Sequence, residues 1–357
     1  MRLRPYRTSI ILAVTFTLVL STFWFLPQLA FIVFISLLLQ LLLRPLVDKL
    51  APHVSRGLAA AVVLLTFIAL ALGLVFLVSI SFIPTFSQFI ADFPRISGEL
   101  QEAATISGSP LLVDEMDNLW SELQSFSVEA LKSSLSLLLS LFGSVIDLVI
   151  IFFVTFYLLK DGEDIKRWIA SLFPTRDYTR IVALFDRILF ALRTYICSQL
   201  VICCITGTIV FAYFTFRGLP YGSVFAVVSG IAEFIPVLGP TVASVFGTLL
   251  TATTGIWFAV QTACFYLVLT QVNHNVVYPT LIGRSLNLHP VAIILGIILG
   301  GELLGPAGMF LAVPFIVICK LVIEDIDRDR LQMRKALHMS RWLSRKKAED
   351  DEDSSKH

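Results

Sequence analysis

One apolar stretch of this chain is interrupted in a way that few folds accommodate. From Glu233 to Pro240 it reads Glu-Phe-Ile-Pro-Val-Leu-Gly-Pro, inside a run from 219 to 252 that is long and apolar enough to lie in a membrane. A chain in hydrocarbon must satisfy its own backbone hydrogen bonds, so a broken helix is tolerated there only where protein or a wet cavity surrounds it. A carboxylate at that depth is costly and usually marks the pathway of an ion or polar substrate. The run therefore predicts a transport pathway.

The composition is typical of a polytopic membrane protein. Of the 357 residues, 57% are hydrophobic and 15% are charged, and the mean hydropathy is +0.85. The cysteines all fall in apolar runs without the spacing of a disulfide framework or a metal site, so we interpret them as small hydrophobic residues. They are Cys197, Cys203, Cys204, Cys264 and Cys319. We predict no metal, cofactor or nucleic-acid partner.

The apolar runs predict an all-α polytopic membrane protein with about eight transmembrane helices. A membrane helix needs about 20 apolar residues, and the clear candidates are 9–26, 58–83, 135–159, 195–216 and 255–272. The first is interpreted as a helix rather than a signal peptide because no small-residue cleavage site ends it. The run at 29–43 is shorter and is predicted to be tilted or shallow. Two stretches, 219–252 and 287–323, exceed one span and contain glycine and proline, which predicts interrupted or re-entrant helices.

Charges in the connecting segments predict the orientation of the chain. Basic residues precede the first span, follow the second and occur seven times between Lys160 and Arg193, so these segments are expected in the cytoplasm. Residues 84–134 carry eight acidic and two basic side chains, hence a net charge of −6, and are expected outside. We therefore predict a protein of the cell inner membrane with both termini in the cytoplasm.

These features divide the chain into successive regions. They are N-terminal transmembrane helices at 1–83, an external and mostly helical acidic segment at 84–134, a transmembrane core at 135–327 that includes the interrupted segment 287–323, and a cytoplasmic charged tail at 324–357. Within the core, the amphipathic stretch 160–193 is expected to anchor at the membrane interface. The external segment is expected to be either a solvated spacer or a gate.

Few ionisable side chains are expected within the membrane, and they are candidates for an ion or substrate site. Asp147 lies near the middle of its predicted span, and the alternative is a carboxyl bonded to a neighbouring side chain. Glu233 is the stronger candidate, because the break at Pro236, Gly239 and Pro240 frees backbone carbonyls and exposes a charged helix terminus beside it. The alternative role for Glu233 is a structural cap.

Glu302 repeats this theme, because an acid is again followed by Leu-Gly-Pro inside an over-long apolar run. It equally fits a surface position. A polar cluster at 271–279 lies between the two breaks, and its Asn273, His274 and Asn275 fit either binding of a solute or hydrogen bonding within an irregular connection. Zinc is not predicted, because His274 and His289 lack ligand partners at a useful spacing.

The chain resembles the autoinducer-2 exporter family, also described as PerM-type permeases, over most of its length. The matching fragments are Arg44-Pro-Leu-Val-Asp-Lys-Leu50 with Arg56-Gly57, Phe156-Tyr-Leu-Leu-Lys-Asp-Gly162, Tyr195 and Gln199, the run from Glu233 to Pro240, Asn275-Val-Val-Tyr-Pro279, Leu288-His-Pro290, and Gly305 to Pro314. Their order and spacing carry the resemblance. It implies about eight spans, self-association and export of small solutes, with autoinducer-2 or Na⁺/H⁺ exchange proposed for different members.

Two positions depart from the family pattern. Ser198 stands where the family usually has glycine before Gln199, and we expect looser helix packing there. Asn273 stands where an acidic residue is common, so any cation coupling through that carboxylate is not expected here.

The sequence thus predicts a multi-pass transporter of a small polar solute or monovalent cation that works by alternating access. Glu233 and the Pro236–Pro240 break would form the central site, assisted by Asp147 or Glu302, and protonation of Glu233 would exchange with substrate or Na⁺. The alternative is a non-transporting membrane scaffold whose external segment binds a partner. An enzyme is not predicted, because the apolar segments contain no His-Glu-x-x-His pair, nucleophile elbow or phosphate loop.

Overall fold

A computed structural model describes residues 11–15, 17–18, 21, 25–73, 76, 80, 84, 145–235, 238–281, 288–305 and 307–328. Within these residues the regular structure is helical throughout. The predicted external segment, apart from residue 84, and the tail beyond residue 328 lie outside them. The first predicted span, 9–26, is described only in part, and its described residues 11–15 are helical.

Nine longer helices make up the described part of the chain. They are α1 (Pro27–Leu50), α2 (Arg56–Gly73), α3 (Val145–Ser171), α4 (Tyr178–Phe216), α5 (Gly222–Ala232), α6 (Leu238–Thr254), α7 (Ile256–Val272), α8 (Pro290–Leu304) and α9 (Ala307–Arg328). A 3₁₀ turn at Thr175–Asp177 precedes α4, and α7 continues through a π-helical turn at Asn273–Val277 into Tyr278–Leu281.

Five of the described helices are long and apolar enough to cross a membrane. They are α1, α2, α4, α9 and the continuous helical stretch Ile256–Leu281. The helix that contains the run at 29–43 is longer than the run itself, because α1 extends from Pro27 through Pro45 to Leu50. Its last two turns carry Arg44 and Lys49, which a hydropathy criterion excludes but which continue the helix.

The stretch at 160–193 belongs to two long helices, the end of α3 and the first half of α4. Its apolar face is covered by protein rather than free to anchor at a membrane surface, because Ile181, Leu184 and Ile188 are buried against residues of α1 and α9. Trp168 and Leu172 on the same stretch are exposed. The expectation of an interfacial anchor is therefore wrong for the buried face.

Both over-long apolar runs are divided into two helices. The first run forms α5 and α6, and the second forms α8 and α9. At about 1.5 Å per residue, the 11 residues of α5 extend only about 16 Å, well short of a bilayer. The α8–α9 pair crosses closely, since a Cβ added to Gly308 would lie 1.9 Å from the Gly300 carbonyl oxygen.

Two hydrophobic clusters organise the two ends of α4. The N-terminal half of α4 packs with α1 and α9 around Leu38, Leu192 and Val317. The C-terminal half packs with α5, α6 and α7 around Phe214, Phe225 and Tyr266. Consequently α4 connects the two halves of the described structure, and the middle of α4 is where polar side chains can be enclosed between them.

Candidate functional site

Helix α5 ends directly before Glu233, at the break that the sequence predicts. The backbone N–H groups of Phe234 and Ile235 turn back to the carbonyls of Ile231 and Ala232 at 3.0 and 2.9 Å, a tightening typical of a helix end. Pro236, which lacks a backbone N–H, lies outside the described residues. Pro240 falls in the first turn of α6, where a missing N–H is tolerated because that group has no partner within the helix.

Gly239 brings the start of α6 against the end of α5. A Cβ at this position would lie 1.7 Å from the carbonyl oxygen of Ala232, so only glycine fits. Gly239 also donates its N–H to the carbonyl of Ile235 at 2.9 Å. Because the two helices meet this closely, the carboxylate at their junction is held inside the protein instead of at its surface.

Glu233 is buried, with 3% of its surface exposed. Its Oε1 accepts hydrogen bonds from Thr206 Oγ1 at 3.0 Å and from Asn273 Nδ2 at 2.9 Å. Its Oε2 accepts a longer one from Tyr278 OH at 3.4 Å. The Asn273 amide also donates to Thr206 Oγ1 at 2.9 Å. Within the described residues, no lysine, arginine or histidine forms an ion pair with this carboxylate.

One face of α4 forms the second wall of the site. Tyr195, Gln199 and Thr206 recur at spacings of four and seven residues, which puts them on the same side of the helix. Gln199 donates Nε2 to the backbone carbonyl of Glu233 at 2.6 Å. This bond ties the middle of α4 to the last carbonyls of α5, which have no helical partner of their own.

Two glycines let α4 and α5 come close enough for these contacts. A Cβ on Gly207 would lie 3.0 Å from the Ala226 carbonyl oxygen, and one on Gly230 would lie 3.1 Å from the Cys203 carbonyl oxygen. Small residues at a helix crossing allow backbones to approach closely within a membrane. The crossing lies one turn from Glu233, so it sets the distance between the carboxylate and Thr206.

Several polar atoms around Glu233 have no partner. Four buried side-chain atoms lack a hydrogen bond within the described part of the chain, and three of them belong to this site: Tyr195 OH, Gln199 Oε1 and Asn273 Oδ1. The fourth is Thr155 Oγ1 on α3. An unpaired buried polar atom costs about 1–3 kcal/mol. Unpaired acceptors beside a carboxylate that has no ion pair among the described residues form a surface suited to a ligand that donates hydrogen bonds or carries positive charge.

The other predicted site residues lie apart from this cluster. Asp147 lies in the first turn of α3 and accepts a hydrogen bond from Gln28 at 2.9 Å. Glu302 is exposed on α8, and Asn275 is exposed and donates to Gln271 at 3.0 Å. Within the described residues, none of the three forms a hydrogen bond or an ion pair with Glu233.

Thr206 and Tyr278 are site residues that are not predicted from the sequence, and Tyr195 and Gln199 enter there only through the family resemblance. The spacing of the three α4 residues could have predicted the site, since polar side chains at 195, 199 and 206 share one face of an otherwise apolar helix. Ser198 also differs from expectation. Its hydroxyl donates to the Leu281 carbonyl at 3.0 Å and the residue is buried, so the substitution adds a contact where looser packing was predicted.

A second charged cluster lies beyond the apolar part of α3. Glu163 accepts from Lys166 and Arg44, and Lys166 also pairs with Asp186 of α4 at 2.8 Å. The hydrogen bond from Lys166, followed by the one from Arg44, lowers the pKa of Glu163 from 4.5 to about 2. This network joins α1, α3 and α4 and is satisfied internally, unlike the site at Glu233.

Comparisons with known proteins show the family to which the chain belongs. The family model described as "AI-2E family transporter" matches residues 12–328. The chain is 27% identical to "Putative transport protein YueF" of Bacillus subtilis over 89% of its own length and 91% of that protein. It is 28% identical to "Putative permease PerM" of Escherichia coli K12 over 85% of its length and 88% of that protein.

A third relative, "Putative transport protein YrrI" of Bacillus subtilis, is 33% identical, and the match spans about half the length of each chain. The match to the family model covers nearly the whole described structure, including α4, α5 and the π-helical turn. This chain is therefore a membrane protein that belongs to the AI-2E transporter family.

Proposed function

We propose that this protein is a permease that moves a small polar solute or a monovalent cation through a site centred on Glu233. The observation that carries the proposal is a buried carboxylate without a described cationic partner, bordered by the unpaired atoms Tyr195 OH, Gln199 Oε1 and Asn273 Oδ1. A buried charge that is not paired within the protein is expensive. Such a charge is retained most readily where a bound proton or ligand neutralises it during function.

The break between α5 and α6 supports a site that opens to either side. A short helix that ends at Glu233 and a second helix that starts against it leave carbonyls and a helix terminus beside the carboxylate. In this proposal, protonation of Glu233 alternates with binding of solute or Na⁺, and the membrane core rocks around the fixed site. The direction of transport, and its coupling to protons or Na⁺, follow from which species Glu233 binds on each side of the membrane.

The remaining topology is part of the same proposal. We propose about eight spans in the inner membrane, with α5–α6 and α8–α9 re-entrant or interrupted, both termini in the cytoplasm and the acidic segment 84–134 outside. The protein is proposed to act as a homo-oligomer. Pro236, Gly239 and Pro240 shape the break, while Asp147, Asn275 and Glu302 are proposed to assist only if the site opens toward them during transport.

Flux through reconstituted protein tests this proposal. Liposomes that hold the purified protein and a pH-sensitive dye receive Na⁺ and proton gradients, and wild type is compared with Glu233→Gln. The matched control is Glu324→Gln, which makes the same change at a carboxylate that pairs with Lys320 outside the proposed site. We expect cation-dependent proton flux in wild type and control, and its loss in Glu233→Gln.

The same vesicles then test organic solutes. If no proton flux occurs, uptake of labelled hydroxylated solutes such as autoinducer-2 is measured with the same three proteins. Solute uptake that depends on Glu233 supports the permease and removes the cation as substrate. Folded protein that moves neither cations nor solutes contradicts the proposal and favours the membrane scaffold.

A further inference from the structure

The helix that carries Asn273 and Tyr278 contains one turn of π-helix. The backbone N–H of Tyr278 donates to the carbonyl of Asn273, five residues earlier, and regular α-helix precedes and follows this turn. Such turns are rare, hold one more residue than an α-helical turn and frequently occur at functional sites. The turn therefore needs side-chain contacts that stabilise it against relaxation to α-helix.

Those contacts come from the site itself. Asn273, at the start of the turn, donates to Glu233 Oε1, and Tyr278, directly after it, donates to Glu233 Oε2. In an α-helix each residue advances by about 100°, so residues five apart point about 140° away from each other. In the π-helical turn they are hydrogen-bonded and stack one above the other. For two residues five apart along the chain, the π-helical turn lets both side chains reach one carboxylate.

Two further contacts hold the helix in and beyond the turn. Ser198 Oγ donates to the Leu281 carbonyl at 3.0 Å, and His274 stacks on the Tyr278 ring with centroids 5.4 Å apart. Relaxation to α-helix would rotate Tyr278 and Leu281 by about 100° relative to Asn273. That rotation would remove both the Tyr278 and the Leu281 contacts with the α4–α5 pair.

We propose that the π-helical turn is a two-state register switch whose position is set by the occupancy of Glu233. When the carboxylate is free to accept hydrogen bonds, Asn273 and Tyr278 hold the π-helical register and close this side of the site. When a bound ligand takes over those oxygens, the turn relaxes to α-helix and Tyr278 withdraws. This inference rests on the proposed function, because it names the element that opens the permease site.

Hydrogen–deuterium exchange of the full-length protein in lipid nanodiscs measures how often the backbone hydrogen bonds of the turn open. We expect Glu233→Ala to raise amide exchange in residues 274–281 about tenfold, because without two side-chain hydrogen bonds the turn passes more often between the π-helical and α-helical registers, and each passage breaks backbone hydrogen bonds. Tyr278→Phe, which keeps the ring and removes one of these bonds, gives a smaller rise in the same residues. Asn275→Ala is the matched control on the exposed face of the turn, and its exchange stays as in wild type.

Deletion of Asn275 tests whether the extra residue is needed for switching. The deletion shortens the turn to an α-helical one and leaves Asn273 and Tyr278 four residues apart, on the same face of the helix. Both contacts with Glu233 are then kept without a π-helical register. We expect a folded protein in which Glu233→Ala no longer raises exchange at 274–281, and in which transport falls at least about tenfold because the helix cannot switch.

Two results overturn the switch. One is unchanged exchange at 274–281 in both Glu233→Ala and Tyr278→Phe, and the other is wild-type transport after deletion of Asn275. The proposed function fails separately, because the exchange measurement does not need a transported solute. If exchange responds as expected while wild type moves neither cations nor solutes, the switch stands and the permease assignment is wrong.

Discussion

Two buried carboxylates in this protein are equally hidden from solvent but have opposite surroundings. Asp325 on α9 is 5% exposed and lies between two arginines of α4, with Arg180 Nη2 at 2.8 Å and Arg187 Nη2 at 2.6 Å. Glu233 is 3% exposed and accepts only from neutral donors among the described residues. The comparison indicates that Asp325 is a fixed clamp between helices, whereas Glu233 has no such arginine pair, which supports our proposal that its charge takes up a ligand or a proton.

Removal of Asp325 should give the largest loss of stability. Asp325→Ala leaves two partly buried arginines without their carboxylate, and breaking a buried ion pair from one side costs about 3 kcal/mol or more. Chemical unfolding in detergent measures this loss. The control is Glu324→Ala, since Glu324 pairs with Lys320 at the surface and its loss should change stability by less than about 1 kcal/mol. Equal effects of the two variants would contradict the clamp.

Removal of the charge at Glu233 should instead abolish function with little loss of stability. Glu233→Gln keeps an acceptor for Thr206 and Asn273, so we expect the free energy of unfolding to stay within about 1 kcal/mol of wild type. Transport should fall about 100-fold, because the amide neither titrates nor compensates a cation. A variant that unfolds readily but transports normally would assign Glu233 a structural role.

The junction of α5 and α6 should not tolerate a single methyl group. Gly239→Ala would force its Cβ against the Ala232 carbonyl, and we expect about 2 kcal/mol of destabilisation together with loss of transport. Gly73→Ala is the matched control, because nothing in the described part of the chain lies within 4 Å of the added atom. Thermal unfolding of both variants measures the difference in stability. If Gly239→Ala is as stable as wild type, the junction opens more widely than the structure indicates.

The hydroxyl of Thr206 should matter more than its methyl group. Thr206→Val removes the donor to Glu233 and the acceptor for Asn273, and we expect about tenfold weaker transport. Thr206→Ser keeps both hydrogen bonds and should transport within about twofold of wild type. Initial rates over a range of substrate concentrations separate an effect on binding from one on turnover. Equal rates in the two variants would remove Thr206 from the site.

The charged network around Glu163 should produce a small, pH-dependent effect. Because its pKa is lowered to about 2, Glu163 contributes stability that is fully present above its ordinary value of 4.5 and is lost as the pH falls from there toward 2. Glu163→Gln should lower the free energy of unfolding by about 1 kcal/mol at neutral pH. It should also weaken the dependence of that free energy on pH between 2 and 4.5. Unfolding midpoints between pH 2 and 7 test this, and identical curves would contradict it.

The break at Glu233 was predictable from sequence, because prolines and a glycine end a helix locally. That effect does not depend on the rest of the fold. Asn273 was also predicted, as a polar side chain at a helix end. Thr206 and Tyr278 were not, because their contact with Glu233 depends on the crossing at Gly207 and Gly230 and on the π-helical turn. No local sequence pattern specifies the extra residue of that turn.

Glu302 shows the limit of the same reasoning. Its Leu-Gly-Pro context resembles that of Glu233, but the glycines on either side serve a close helix crossing in which Gly300 and Gly308 meet backbone to backbone. Glu302 itself is exposed. The same residue types thus produce an enclosed carboxylate between α5 and α6 and a packing contact between α8 and α9. Only the tertiary structure distinguishes the two outcomes.

The most direct test of the central claim is modification by dicyclohexylcarbodiimide, an apolar reagent that reacts with protonated carboxyl groups. Protein in liposomes is treated with the reagent, labelled peptides are located by mass spectrometry, and flux is measured on the same vesicles. We expect label on Glu233, none on the arginine-paired Asp325, and loss of flux in proportion to labelling. Full labelling of Glu233 without loss of flux, or equal labelling of both carboxylates, would contradict the account.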